Sequence, residues 1–429
     1  MRSYLVGGAV RDTLMDITPK DHDFVVVGST PEEMLSRGFE QVGADFPVFL
    51  HPKTKDEYAL ARREKKTGSG YTGFTCEFGT DVTLAEDLRR RDLTINAMAM
   101  YDDGSICDPF GGQRDIENGL LRHVDATSFV EDPVRVLRLA RFAARYPRFK
   151  ISPQTVDLIY QMGRAGTLNE LTSERVYGEL SRALMEQTPS RFFDTLLECD
   201  VLHILFPEVY GLLSATEWKR HHPEGNAYDH TMLVLEEMRA SEDCDLCDMF
   251  NALCHDFGKA ATPKDMLPRH PGHEEYGLPI IEGFLGRLKA PSDITKYALR
   301  TTRYHMLMHR FIDLKEISPK GVCKMFDASL HGAPEFVSRL MRLAKADERG
   351  RQGCAANNVD HLHGLERLHD AYTSPTFAEV IGDRKLSGSV IKTEMQRARN
   401  LAVKQAFSEL KRELQNKSDT EDYDQGMKL

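Results

Sequence analysis

Two stretches decide the fold of the N-terminal part: Tyr4-Leu5-Val6-Gly7-Gly8-Ala9-Val10-Arg11-Asp12, and shortly after it Asp21-His22-Asp23-Phe24-Val25-Val26-Val27. Tyr4-Leu5-Val6 is a short apolar run of strand type. Gly7-Gly8 breaks it, and Ala9 to Met15 can follow as a helix. Phe24 to Val27 is a second strand. Glycine lets a backbone approach a phosphate, and free N–H groups at a helix start attract anions. Arg11, one turn in, can reach the same anion. An ordinary strand–helix turn would carry the same glycines. On a strand, residues two apart face the same way, so Asp21 and Asp23 could together hold divalent cations. Magnesium prefers a few carboxylates completed by phosphate oxygens and water. Paired ions of this kind activate a hydroxyl and stabilise a leaving pyrophosphate. Read alone, Asp21-His22-Asp23 is equally a turn before a strand.

Working outward, the first 125 residues or so read as mixed α/β, with a flexible loop at Gly68-Ser69-Gly70-Tyr71-Thr72-Gly73. Asp87-Leu88-Arg89-Arg90-Arg91-Asp92 is dense in charge: either a solvated helix start or an element touching sugar or phosphate. From Pro133 the pattern turns helical. In Asp132-Pro133-Val134-Arg135-Val136-Leu137-Arg138-Leu139-Ala140-Arg141, three arginines share one broad helical face and would repel without an anion. Asp132 before Pro133 also fits an N-cap followed by proline at the first helical position. An Asp/Arg pair one turn apart could instead read the amino-bearing edge of cytosine or adenine. The carboxylate would accept from the amine and the guanidinium would donate in a planar fork. Six basic residues and no acidic one between Arg135 and Lys150 predict a cationic patch.

Taken together, Gly7-Gly8-Ala9-Val10-Arg11-Asp12, Asp21-His22-Asp23, Arg90-Arg91-Asp92-Leu93-Thr94-Ile95-Asn96-Ala97, Asp108-Pro109 and Glu131-Asp132-Pro133-Val134-Arg135 resemble the bacterial class II CCA-adding enzymes. These tRNA nucleotidyltransferases are related to bacterial poly(A) polymerases. The resemblance runs in order over about the first 190 residues. It implies an α+β fold: a polymerase beta-like nucleotidyltransferase head of mixed sheet and helices, followed by an all-α neck, body and tail. It implies Mg2+ on Asp21 and Asp23, triphosphate contacts from Gly8, Arg11 and Arg91, and a protein template for CTP and ATP made by Asp132 and Arg135. Arg138 and Arg141 would complete the nucleotide site. The 3′ hydroxyl of tRNA would attack the α-phosphate and release pyrophosphate. Glu57 is a candidate third carboxylate.

A second cluster lies downstream. His255 and Asp256 are adjacent in Cys254-His255-Asp256-Phe257-Gly258-Lys259, with His230 before them and His270, His273, His305, His309 and Asp347 after. Imidazole and carboxylate together suit nickel, manganese, iron or zinc, and such an ion can aim an activated water at a phosphoester. The segment resembles the HD phosphohydrolase domain that some bacterial CCA-adding enzymes carry. The resemblance implies a metal site of His230, His255, Asp256 and His305 holding a transition metal such as Ni2+, with 2′,3′-cyclic phosphodiesterase, 2′-nucleotidase and phosphatase activities. Met306 follows His305 where relatives lead one to expect a second His-Asp pair. Asp347 is the candidate for the missing carboxylate.

The implied organisation is a head over 1–125, a neck over 126–190, a body over 191–227, an HD domain over 228–350, a helical tail over 351–414 and a disordered end over 415–429. At 429 residues, about three domains are expected. A hydrophobic share of 41% with 28% charged residues excludes a disordered chain, and the net charge of −10 excludes a uniformly basic RNA binder. No apolar run is long enough for a membrane helix and the N-terminus lacks a signal-peptide core, so a cytoplasmic protein is expected, with no membrane partner. The eight scattered cysteines, Cys244 and Cys247 included, read as reduced thiols. The expected partners are the tRNA 3′ end, ATP and CTP, and a monomer is expected with a dimer kept open. Two other readings remain at this level: a poly(A) polymerase, or a phosphohydrolase with an RNA-binding head.

Overall fold

The computed structural model describes residues 1–42, 48–66, 74–220, 222–309, 317–329, 335–357 and 362–426. The expected Gly68–Gly73 loop lies outside the described residues. The chain forms two compact units, Met1–Pro207 and Glu208–Leu429.

The first unit opens with strand β1, Arg2–Val6. The helix Gly8–Leu14 follows at once, as the Gly7-Gly8 break requires. Strand β2, Asp23–Val27, pairs antiparallel with β1. Strands β3 (Glu40–Val42), β4 (Val48–Leu50) and β5 (Glu57–Leu60) extend one side of the sheet. A separate hairpin is made by β6 (Arg62–Lys66) and β7 (Phe74–Phe78). Strands β8 (Ala99–Met100) and β9 (Ile106–Cys107) complete a seven-stranded mixed sheet in the order β3-β4-β5-β2-β1-β8-β9.

β2 is central, so both its faces are covered. Val25 packs with Tyr4, Val6 and Leu88 on one side. Val26 packs with Met34, Phe49 and Leu60 on the other. That explains why the run is continuously apolar rather than alternating. The strand begins at Asp23, so Asp21 lies in the turn before it and not on it. β2 runs parallel to β5 with Asp23 opposite Glu57, which puts Glu57 on the same face at the same level of the sheet.

Helices follow. The helix Val134–Arg145 buries Val136, Leu137, Leu139, Ala140, Ala143 and Ala144. It packs on the helices Ser173–Leu184 and Ser190–Glu198. Helix starts carry their caps: Thr83 with Glu86 as a reciprocal capping box, and Ser152 accepting from the Thr155 N–H. The Asp108-Pro109 pair has a local explanation too, since the Asp108 carboxylate accepts from the Gly112 and Gln113 N–H groups at the start of the helix Gly112–Glu117.

The second unit is helical. Ala227–Arg239, Leu246–Cys254, His273–Arg287, Ser292–His309 and Phe336–Arg349 are its main described helices around the histidine cluster. Phe326, Phe336, Leu340, Leu365 and Tyr372 anchor its core. The last helix spans Gly388–Gly426, so the backbone over 415–426 is helical where disorder was expected. That polar segment simply prolongs a helix already nucleated, and propagation is far easier than nucleation.

No described helix is long and apolar enough to cross a membrane. A Cβ added at Gly112 would sit 2.3 Å from the Thr94 carbonyl oxygen and 2.8 Å from the Met98 sulfur. Gly112→Ala is therefore expected to cost about 1–3 kcal/mol, read as a lower midpoint in urea unfolding of the first unit.

Candidate active site and histidine cluster

A cleft of about 780 Å³ opens within the first unit. Of the residues singled out in the sequence, Gly8, Arg11, Asp23, Arg91, Asp132, Arg135 and Arg138 line it. Asp21 and Arg141 do not, although both act on residues that do. Seven arginines and five carboxylates make up its charged lining, so the cleft is net cationic.

Gly7 adopts φ +69°, and a Cβ there would meet Arg91 Nη1 at 2.8 Å. Only glycine tolerates both conditions, and its absence of side chain is what lets Arg91 reach across. Arg90 and Arg91 are turned inward by Asp87, which is fully buried and accepts from both. Asp87, Arg90, Arg91 and Asp92 are thus drawn into a charge lattice of the wall, while Arg89 stays exposed.

From Arg11 a continuous chain of polar contacts crosses the cleft wall. Arg11 lies against the Phe142 and Tyr146 rings and donates to Asn96 Oδ1 at 2.6 Å. Asn96 donates to Asp92 Oδ1 at 3.0 Å, and Asp92 Oδ2 accepts from Arg138 Nε at 2.8 Å. Burial alone would push Asp92 up, but Arg138 and the Asn96 and Leu93 donors hold its carboxyl well below the usual range. Arg141 donates to Glu179 and Glu186, and Arg182 donates to Glu179 as well. The expected free cationic patch is corrected accordingly. Arg138, Arg141 and Arg145 meet Asp92, Glu179, Glu186 and Asp12, carboxylates that lie outside the window in which the sequence shows only bases.

Asp132 does two things at once. Its Oδ1 lies 3.4 Å from the Val134 N–H, a capping contact, and both its oxygens accept from Arg175, at 2.7 and 2.9 Å. A carboxylate has about four lone-pair directions, so this bidentate pair orients Asp132 without exhausting it. The Arg135 backbone N–H donates to the Asp132 carbonyl oxygen at 3.0 Å. Its guanidinium donates to the Ser128 and Arg90 carbonyls. Sequence reasoning missed Arg175 and Glu179, because an Arg and a Glu four apart on a helix look like a surface pair.

Asp23 is exposed at the cleft. The cleft walls still desolvate it and push its carboxyl up; Arg91 opposes this and Asp21 adds to it. A carboxylate whose charge is disfavoured by burial and by a neighbouring carboxylate suits an oxygen-preferring dication.

In the second unit, five segments bring their side chains to Asp256. His230 comes from Ala227–Arg239. His255 and Asp256 follow the end of Leu246–Cys254. His273 opens one helix, and His305 and Asp347 stand near the ends of two others. All are buried. His255 Nε2 lies 3.2 Å and Lys259 Nζ 2.7 Å from Asp256 Oδ2. His230 Nε2 lies 3.8 Å from that oxygen and 3.1 Å from Asp347 Oδ1. The four histidine and aspartate residues expected in this site meet, and Asp347 and His273 join them. Burial opposes the charged form of His230, but Asp347 and Glu224 raise it to about 9. Burial and His273 push His305 down to about 3. His309 has no side-chain position among the described residues. Among those residues Cys199, Cys254 and Cys323 are buried free thiols.

The poly A polymerase head domain family matches residues 3–122. The family described as the probable RNA and SrmB-binding site of polymerase A matches residues 148–212. The multifunctional CCA protein of Mannheimia succiniciproducens is 45% identical over 417 residues, covering 96% of this chain and 98% of that protein. The chain belongs to the multifunctional CCA protein family. As a member of that family it is a tRNA nucleotidyltransferase, with a polymerase beta-like head. Two solved CCA-adding enzymes share the fold of this CCA protein. The Bacillus stearothermophilus enzyme in complex with CTP has a TM-score of 0.63 at 19% identity, over 97% of this chain and 94% of that one. The Thermotoga maritima enzyme complexed with tRNA has a TM-score of 0.58 at 19% identity, over 96% and 91%.

Two outcomes follow. Asp92 has a depressed carboxyl pKa in the folded CCA protein, so its contribution is complete above the unfolded value of about 3.9 and is lost as pH falls below it. Asp92→Asn should lower the melting temperature at pH 7 and flatten its decline between about pH 5 and pH 3. A Cβ at Gly258 would lie 1.9 Å from the His273 carbonyl oxygen. Gly258→Ala should displace the His273 helix and lower the melting temperature of the second unit.

Proposed function

We propose that this protein adds and repairs the 3′-terminal CCA of tRNA from CTP and ATP in the cytoplasm, without a nucleic-acid template. The observation that carries the reading is the single cationic cleft onto which Asp23, Gly8, Arg11, Arg91 and the Arg175-clamped Asp132 all open. A net cationic cleft suits a nucleoside triphosphate. Asp21 and Asp23, with Glu57 beside Asp23 in register, would hold Mg2+, which when bound makes the 3′ hydroxyl more acidic and neutralises the departing pyrophosphate. Gly8, Arg11 and Arg91 would take the triphosphate. Asp132, oriented by Arg175, would accept from the base amine, and Arg135 would swing from its carbonyl partners to donate to the ring nitrogen. Arg138 and Arg141 would stiffen the site through Asp92 and Glu179. The tRNA hydroxyl attacks the α-phosphate, the new phosphodiester forms, and the bond to pyrophosphate breaks.

A second activity is proposed for the histidine cluster: hydrolysis of phosphoesters, 2′,3′-cyclic phosphates and 2′-phosphates among them, supported by a transition metal such as Ni2+ on His230, His255, Asp256 and His305 with Asp347. What supports a metal there is the state of the donors. His255 Nε2 and Asp256 Oδ1 are buried without a hydrogen-bond partner, and His255 and Asp256 fall in compact groups of side chains that could hold a metal ion.

The test is incubation with Mg2+, CTP, ATP and a tRNA lacking its 3′ end, resolved to single nucleotides. Addition of C, C and A followed by a stop is expected; a long A ladder would assign a poly(A) polymerase instead. GTP and UTP should be poor substrates. Asp23→Asn should slow addition about a thousandfold or more, the equivalent of several kcal/mol of lost charge stabilisation. Arg175→Ala should reduce base discrimination about tenfold. His255→Ala should abolish phosphohydrolysis and spare nucleotide addition.

A further inference from the structure

The chain has one tryptophan, Trp218. Tryptophan is highly buried on average, yet Trp218 is 42% exposed. It lines a cavity of about 730 Å³ that also reaches Asp256 and Asp347. Pro268, Pro271 and Met306 line the same cavity. The cavity thus joins a charged cluster to a flat, apolar surface.

The indole is held in place from two directions. Its own segment is anchored by the preceding residue, Glu217, which accepts from Lys259 Nζ; that nitrogen lies 2.7 Å from Asp256 Oδ2. Trp218 therefore stands one residue away from an ion-paired chain that ends on the cluster. The Trp218 carbonyl accepts from the His222 N–H at 2.9 Å, and the Glu217 N–H donates to the Gly225 carbonyl at 3.1 Å, which closes the turn.

The facing segment brings Arg269, whose guanidinium carbon lies 5.1 Å from the centre of the indole. Cation–π attraction holds such a pair together, and a guanidinium stacked on a ring keeps its N–H donors directed outward in its own plane. His270 ties the two segments. Its Nε2 lies 3.0 Å from the Thr216 carbonyl oxygen and its Nδ1 2.9 Å from Thr262 Oγ1. A carbonyl only accepts, so Nε2 carries the proton and Nδ1 accepts from the threonine hydroxyl.

A phosphoester of a small alcohol would use the charged end of this cavity alone. A nucleoside phosphate would use both ends, since every base has a face that stacks on an aromatic ring. We propose that Trp218, positioned by Arg269 and His270, is the shelf on which the base of a nucleoside phosphate stacks, and that it makes the second site selective for nucleoside phosphates over phosphoesters without a base. This rests on the reading of the histidine cluster as a phosphohydrolase. The nucleoside is either free or the last residue of an RNA.

As the one tryptophan, Trp218 reports on itself. The full chain, treated with chelator so that no ester is turned over, is titrated with adenosine 2′-phosphate and separately with glycerol 2-phosphate while indole emission is followed. Saturable quenching by the first and none by the second is expected. A short RNA ending in a 2′,3′-cyclic phosphate is the third titrant: quenching by it extends the shelf to RNA ends, and quenching by the mononucleotide alone assigns it to free nucleotides. With Ni2+ restored, Trp218→Ala should lower the ratio of kcat/KM for adenosine 2′-phosphate to that for glycerol 2-phosphate about tenfold or more, mainly through KM, and Trp218→Phe should restore most of it. Absence of adenine-dependent quenching together with an unchanged ratio in Trp218→Ala would overturn the shelf and leave the phosphohydrolase standing. Hydrolysis of neither ester would overturn the phosphohydrolase instead, and the quenching would then decide the shelf alone.

Discussion

A guanidinium cannot shed its charge inside a protein, so every arginine that the cleft turns inward must meet a carboxylate or a carbonyl. That constraint organises the first unit. Asp87 holds Arg90 and Arg91, Asp92 holds Arg138, Glu179 holds Arg141 and Arg182, and Asp132 holds Arg175. Asp92–Arg138, Glu179–Arg141 and Asp132–Arg175 join segments far apart in the chain, so these pairs fix where the helices Val134–Arg145 and Ser173–Leu184 sit. Buried pairs of this kind are weak sources of net stability, because desolvation offsets attraction. What they supply here is position. Breaking one leaves its partner charged and dry, which is costly, and so the lattice is all-or-nothing.

The second unit applies the same rule to one carboxylate. Asp256 is nearly inaccessible, and the permanent cation Lys259 lies 2.7 Å from its Oδ2. Lys259 is itself shared with Glu217. The histidines complete the surroundings with nitrogens whose protonation is set by backbone carbonyls. The glycine between Asp256 and Lys259 has a steric reason: the backbone of the His273 helix passes where its side chain would be.

Contiguous motifs were legible because one segment carries them. Gly7-Gly8 as a strand–helix break and β2 as a strand follow from neighbouring residues. Asp132 showed two readings in the sequence, a cap and a functional carboxylate, and the geometry makes them compatible rather than exclusive. What stayed hidden depended on long-range pairing. Arg175 looks like one more helix-surface cation until Asp132 is seen against it. His273 is one histidine among many until its Nε2 meets that of His305. The basic run from Arg135 to Lys150 suggested an open patch because the sequence cannot show that distant carboxylates, Asp12 against Arg145 among them, come to meet three of its arginines.

The span of the histidine cluster also has a kinetic consequence. His230 and Asp347 are 117 residues apart, and His255, Asp256, His273 and His305 fall between them. Closing so long a loop carries an entropic cost before any contact rewards it. During synthesis, therefore, the cluster cannot assemble until the helix Phe336–Arg349 has left the ribosome. The nascent chain presents separate imidazoles, and the assembled cluster is a late event that marks completion of the domain.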